Sequence, residues 1–317
     1  MTDFKAAMAG NYTVADRPND VRIRYIIIHA TELNYRDTIA RFQTPNQVSA
    51  HVAIRQRDGH RTAMVAPQNV AWHAGNWDMN CRSLGIEQEA YVEQPASFTQ
   101  PMLHTLAAQI LEWSTQYHIP LDRAHLLGHD NVAAPTQAAE PAMHRDPGWY
   151  FDWEALFRQL GVVSKPKLPV NIGHAVEITR PYADLFQRPT FQSGLIGKQS
   201  EPLSHRVSYG QAFVCAAKDG DWIAINFSGQ LGWLKEDQVT GVQRPSLKVA
   251  HQIGLYGSTQ PGAPAIDILQ PGEQYVISDE LAGLQTSDVS GELTVQKTGD
   301  LFWQIWYGHR IGYVKKR

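Results

Sequence analysis

Cysteine is scarce: the chain of 317 residues has two, Cys81 and Cys215. Thiols this far apart exclude a disulfide framework, and two free, half-buried thiols are expected. A single bridge between the halves of the chain is the other reading. No apolar run approaches the ~20 residues that a membrane-crossing helix needs. Neither sign of charge dominates, with 28 Lys and Arg against 31 Asp and Glu. That balance excludes a general nucleic-acid binder, which would show a basic excess. The first residues, Met1 to Asp20, lack a basic start followed by a long apolar stretch, so no signal peptide is read. A cytoplasmic protein is expected, or one that leaves the cell by another route or after loss of a leader.

The composition present is that of an ordinary globular protein, 43% apolar and 19% charged. It changes character near Val163. Ser164-Lys165-Pro166-Lys167-Leu168-Pro169 reads as a stiff, extended linker. Before it, strand-like and helix-like segments alternate. Arg24 to Ile28 reads as a buried strand, and Tyr35 to Phe42 carries Tyr35, Ile39 and Phe42 at helical spacing. Ala50–Ile54 and Thr62–Val65 flank the hairpin signal Asp58-Gly59, and Leu84 to Glu87 reads as a further strand. Thr99 is placed to cap a helix running to Tyr117, with Leu103, Leu106, Ala107, Ile110 and Leu111 on one face. Asp152 caps a closing helix with Trp153, Leu156, Phe157 and Leu160 as its stripe.

After the linker, turns and strand signals dominate, and the pattern repeats. Trp222-Ile223-Ala224-Ile225 leads to Leu231-Gly232-Trp233, and Phe302-Trp303-Gln304-Ile305 leads to Ile311-Gly312-Tyr313. Two small β-barrels of roughly 70–80 residues each fit this repeat. The tryptophans Trp222, Trp233, Trp303 and Trp306 read mainly as barrel core.

Three scattered segments carry metal-capable side chains: Ile26-Ile27-Ile28-His29, Leu127-Gly128-His129 and Arg145-Asp146-Pro147-Gly148. Two imidazoles and a carboxylate are a common catalytic zinc set that leaves a position for water. Taken singly, His29 and His129 read more readily as satisfied core histidines, and Asp146 as a turn cap. His125 and His129 form a rival pair only if their segment is helical; its β-like composition and Gly128 make His125 structural.

Read together, these segments and others between them resemble the zinc-dependent N-acetylmuramoyl-L-alanine amidases related to phage amidases and peptidoglycan recognition proteins. The shared pieces are Tyr25 to Thr31, Gln47 to Val52, Ala71-Trp72-His73-Ala74-Gly75-Asn76-Trp77, Arg82 to Glu87, Gly128-His129 and Arg145 to Gly148, in the family's order from Asn11 to Leu160. The repeat after the linker is similar, more loosely, to bacterial SH3-like cell-wall domains. The resemblance implies an α/β domain over residues 1–162, a mixed sheet flanked by helices, then a linker at 163–169 and SH3-like barrels at 170–243 and 244–317.

It further implies that His29, His129 and Asp146 ligate Zn2+. Glu87 matches the family's acidic catalytic residue, although by composition alone it is equally a solvent-facing strand carboxylate beside Glu89. His144 matches a position often held by lysine that stabilises an oxyanion; histidine keeps a donor but makes its charge depend on pH. Trp72, His73 and Trp77 are expected to line a substrate groove, with at least one tryptophan in the core instead. His51 reads as a buried residue behind the ligands. The implied activity is hydrolysis of the amide between N-acetylmuramic acid and L-alanine in peptidoglycan, with the barrels holding the enzyme on the wall. The other readings are a module that binds peptidoglycan without cutting it, and a recycling amidase acting on soluble muropeptides.

Overall fold

The computed structural model describes residues 3–163 and 166–316. A six-stranded mixed sheet organises the first half. Its order is Asp3–Phe4, Arg61–Ala63, Val52–Ile54, Ser83–Gln88, Tyr25–Ala30, Leu126–Gly128. The central Tyr25–Ala30 strand runs parallel to both neighbours, and the Val52–Ile54/Arg61–Ala63 pair is antiparallel, as the Asp58-Gly59 turn requires. Register places His29 opposite Glu87, and Ile28 opposite Gly128.

Side chains alternate across a strand, so the run Tyr25-Ile26-Ile27-Ile28 serves two cores. Ile26 and Ile28 pack with Leu84, Ile86 and Leu126 against helices α3 (Gln100–Tyr117) and α4 (Trp153–Gln159). Tyr25 and Ile27 pack with Leu127 against Leu281, Phe302, Trp306, Ile311 and Tyr313 of the second half. Helices therefore cover one face of the sheet, and C-terminal strands cover part of the other.

Helix α1 (Tyr35–Phe42) has the bounds expected, capped by Asn34, whose side chain accepts from Asp37 N–H. Asp152 caps α4 by accepting from Ala155 N–H. Thr99 precedes α3 but does not cap it, because its hydroxyl donates to the Gln56 carbonyl instead. Leu111 lies on the exposed side of α3, off the expected stripe. A short helix not anticipated, α2 (Trp77–Arg82), starts at Asn76, whose side chain accepts from Met79 N–H.

The second half is all β, as expected. Its pairings among the described residues make small two- and three-stranded sheets and one six-stranded sheet containing the long hairpin Gln274–Val289/Glu292–Tyr307. Closure into two SH3-like barrels is not among these pairings. The repeated motifs form matching hairpins, with Ile225 opposite Gly232 and Ile305 opposite Gly312. Trp222 and Trp306 are buried, in line with a core role. Cys81 and Cys215 are free and buried.

Of the expected linker, Ser164 and Lys165 lie outside the described residues. Pro166 and Leu168 are tied to Thr240, whose hydroxyl donates to Pro166 O and accepts from Leu168 N–H. The halves also share buried polar contacts. Tyr25 Oη donates to Gln304 Oε1 at 2.7 Å, and Gln304 Nε2 donates to Ala124 O at 2.9 Å. Thr259 N–H donates to Asp78 Oδ2 at 2.7 Å, while Arg82 pairs with Asp78 and reaches Ala282 O. No helix among the described residues is long and apolar enough to cross a membrane.

Candidate metal centre

Three sequence-distant segments meet at the carboxyl ends of the parallel strands. His29 stands near the end of the central strand, and His129 opens the turn after Leu126–Gly128. Asp146 is brought against them because Gly128 has no side chain: a Cβ there would sit 2.7 Å from Pro147 Cδ and 2.2 Å from Asp130 Oδ1. Backbone bonds lock the approach, Asp130 N–H donating to Asp146 O at 2.7 Å.

The three side chains are buried, and one ligand atom of each lies within 4.8 Å of the others. His29 Nδ1 is 3.2 Å from Asp146 Oδ2, and His129 Nδ1 is 3.2 Å from Asp146 Oδ1. That second distance lacks hydrogen-bond alignment, so both ring nitrogens of His129 are buried with no hydrogen-bond partner. A cation held beside the carboxylate would take the lone pair of one of them.

Electrostatics favour the same occupant. Burial, reinforced by neighbouring His129, lowers the His29 imidazole to about 4, so it is neutral near pH 7. Burial alone would raise the Asp146 carboxyl, but the surrounding imidazoles, His129 foremost, hold it well below the usual carboxylate range. Two imidazoles and an ionised carboxylate fit zinc.

Glu87 stands on the strand beside His29, its Oε1 4.0 Å from His29 Nδ1 and its Oε2 buried without a partner. Burial, and secondarily the Asp146 charge, raises its carboxyl well above the ordinary value. His144 is the exposed member, stacked on His129 with ring centroids 4.5 Å apart and its Nδ1 3.5 Å from Asp146 Oδ1. The hydrogen bond with Asp146 raises it above the ordinary imidazole value. His29, Glu87, His129, His144 and Asp146 share a cavity of about 350 Å3 whose lining also includes Trp72.

His73 borders this cavity, yet both its ring nitrogens face protein: Nδ1 lies 3.0 Å from His29 Nε2, and Nε2 lies 3.3 Å from Ser83 Oγ. Its ring occupies space left by Gly85, where a Cβ would meet His73 Cγ at 2.6 Å. Trp77 corrects the expectation. It opens α2, donates from Nε1 to Thr286 O of the C-terminal hairpin at 3.1 Å, and is not among the cavity's lining residues. His51 is buried, as read, with its ring edge-on to His73, accepting from Gly85 N–H at 3.0 Å and contacting Arg17. His125 is held between Asp122 and Asp279, away from the ligands.

Sequence reasoning missed Ser83 and Asn80. Asn80 Oδ1 accepts from the backbone N–H groups of His73 and Ala74. Neither residue type carries a signal by itself; Ser83 stood inside a quoted motif without a role.

Comparison with known proteins places the likeness in this half. Residues 19–149 match the family model described as N-acetylmuramoyl-L-alanine amidase. N-acetylmuramoyl-L-alanine amidase A of Achromobacter lyticus is 28% identical over 167 residues, 47% of this chain and 88% of that protein. The 1,6-anhydro-N-acetylmuramyl-L-alanine amidase AmpD of Haemophilus influenzae is 32% identical over 114 residues, 34% of this chain and 56% of that protein. A crystal structure of a selenomethionine AmpD derivative aligns at 28% identity and a TM-score of 0.40, covering 50% of this chain and 93% of the other. Residues 19–149 are thus similar to the N-acetylmuramoyl-L-alanine amidase family.

Proposed function

We propose that the chain is a zinc-dependent amidase cleaving the bond between the lactyl group of N-acetylmuramic acid and L-alanine in peptidoglycan. The observation that carries this reading is the buried His29–His129–Asp146 group beside Glu87 at one cavity. The names of the two curated relatives supply the bond class.

His29, His129 and Asp146 would hold the zinc. Bound there, the ion would polarise the scissile carbonyl and bring a water to a pKa of about 7. Glu87 takes the proton of the attacking water and returns it to the departing amine of L-alanine. His144, at the open edge of the site, donates to the oxyanion, a role worth about 10²–10³ in rate. Trp72 offers an aromatic wall to the sugar or the stem peptide. Retention on the wall by residues 170–317 belongs to the same proposal, supported by the exposed rings of Tyr182 and Phe191.

Mass spectrometry of products from purified peptidoglycan tests the reading. The expected products are peptides with a new L-alanine amino terminus and intact glycan strands, with release stopped by a zinc chelator and restored by zinc. Parallel assays on soluble muropeptides separate a wall-acting enzyme from a recycling one. A folded, zinc-loaded protein that cleaves neither substrate would overturn the proposal and favour a binding module.

A further inference from the structure

The indole of Trp72, a wall of the catalytic cavity, is held by the C-terminal half of the chain. Trp72 Nε1 donates to Thr13 Oγ1 at 2.9 Å, and Thr13 Oγ1 donates to Asp288 Oδ2 at 2.5 Å. Asp288 stands near the tip of the hairpin Gln274–Val289/Glu292–Tyr307. An indole N–H only donates and a carboxylate only accepts, so the hydroxyl between them has one orientation. The middle of the relay is shielded, since Thr13 is fully buried. The hairpin tip is also tied to this segment through backbone: Val14 N–H donates to Gly291 O, and Leu293 N–H donates to Val14 O, both at 2.8 Å.

We propose that Asp288 is a positioning residue for substrate. Through Thr13 it fixes the plane of the Trp72 indole, so the C-terminal hairpin completes a cleft whose chemistry lies wholly in the amidase half. A bond with an ionised acceptor is roughly twice as strong as a neutral one. Without it the Thr13 hydroxyl is free to turn, and the ring loses its reference. An aromatic wall acts through face contact, so ring orientation governs affinity for a sugar or peptide more than the rate of the bound complex. The kinetic consequence rests on the amidase reading; the structural one does not.

The test uses the full, zinc-loaded chain with T13V, T13S and D288A. Asp288 Oδ1 also accepts from Gly291 N–H at 2.8 Å, so D288A disturbs the turn as well. T13V leaves that turn bond intact. T13V and D288A are both expected to raise KM for a muropeptide about three- to tenfold with kcat within about twofold, and T13S to restore KM. The indole N–H resonance of Trp72, assigned by its loss in W72F, is expected to shift in T13V and D288A but not in T13S. An unchanged resonance and unchanged KM in either T13V or D288A would overturn the proposal. If the wild type cleaves no muropeptide, the amidase reading fails, and the resonance alone decides the relay.

Discussion

His73 Nδ1 lies 3.0 Å from His29 Nε2, and this contact fixes which nitrogen of His29 faces the proposed metal centre. The proton order follows from Ser83. Its hydroxyl donates to Met79 O at 2.7 Å and therefore accepts from His73 Nε2–H. His73 Nδ1 then carries a lone pair and accepts from His29 Nε2–H, which leaves the His29 Nδ1 lone pair directed at the site. Partners behind a ligating histidine set its tautomer and tune its basicity.

Replacing His73 by Phe is expected to weaken zinc binding about 10- to 100-fold. Ser83→Ala should have a smaller effect of the same sign, because His73 can then flip its protons. Competition with a fluorescent chelator measures both. Affinities equal to wild type in both variants would show that His29 is oriented by the strand alone.

Glu87→Gln keeps the shape of the side chain and removes its capacity to take a proton. On the proposed mechanism kcat falls about 10²- to 10⁴-fold while zinc content stays at one per chain. Metal analysis beside the peptide-release assay checks the pair of expectations. An active Gln variant would assign proton transfer elsewhere.

Gly85→Ala places a methyl group 2.6 Å from His73 Cγ. The imidazole is confined on its other sides by His29 and Ser83, so it must leave its position. The expected result is weaker zinc binding together with a lower thermal midpoint. A midpoint and affinity both unchanged would mean that the ring shifts at no cost.

The contact between the halves should depend on pH through His125. Its Nδ1 lies 2.7 Å from Asp122 Oδ1 and its Nε2 3.3 Å from Asp279 Oδ2, and Arg24 pairs with the same Asp279. Burial would lower His125, but the hydrogen bonds with Asp122 and Asp279 prevail and raise it. Its contribution is therefore complete below the ordinary imidazole value and is lost as pH rises through the raised one. Asp279 runs the other way. Burial would raise it, but His125 and Arg24 bring it to about 2, so its contribution is present above the ordinary value of 3.8 and fades as pH falls toward 2. The stability difference between wild type and His125→Gln should be largest near pH 5–6 and shrink by about pH 9. Thermal melts across that range check it; a constant difference would remove His125 from the account.

How much of this was legible in the sequence depends on distance along the chain. Helix α1 followed from the spacing of Tyr35, Ile39 and Phe42, and the stripe of α3 from Leu103, Leu106 and Ile110, because each pattern is local. Trp77 was misread for a related reason: Asn76, Trp77 and Asp78 look like a turn, and only the Asn76 cap and burial of Met79 and Cys81 make a helix there. His29, His129 and Asp146 could be gathered only through a resemblance, since strand register brings them together. The run Tyr25 to Ile28 announced a buried strand but not which partner covered each face. Gln304 and Tyr313 hold that information far downstream. The two lysines and two prolines after Val163 suggested a stiff, extended linker, while the hydroxyl of Thr240, which binds part of it, has no local signature.

The covering of Tyr25 and Ile27 by Phe302, Trp306 and Ile311 also sets an order of events during synthesis. All three proposed metal ligands have been made once synthesis reaches Asp146, yet the hairpin that completes this cluster spans Gln274–Val289 and Glu292–Tyr307 and is made much later. At about 5–20 residues per second, that delay is on the order of ten to thirty seconds. During it the face of Tyr25 and Ile27 has only the partial cover that Ala74, Met79 and Met143 of the same cluster give it, so the last part of the core closes late.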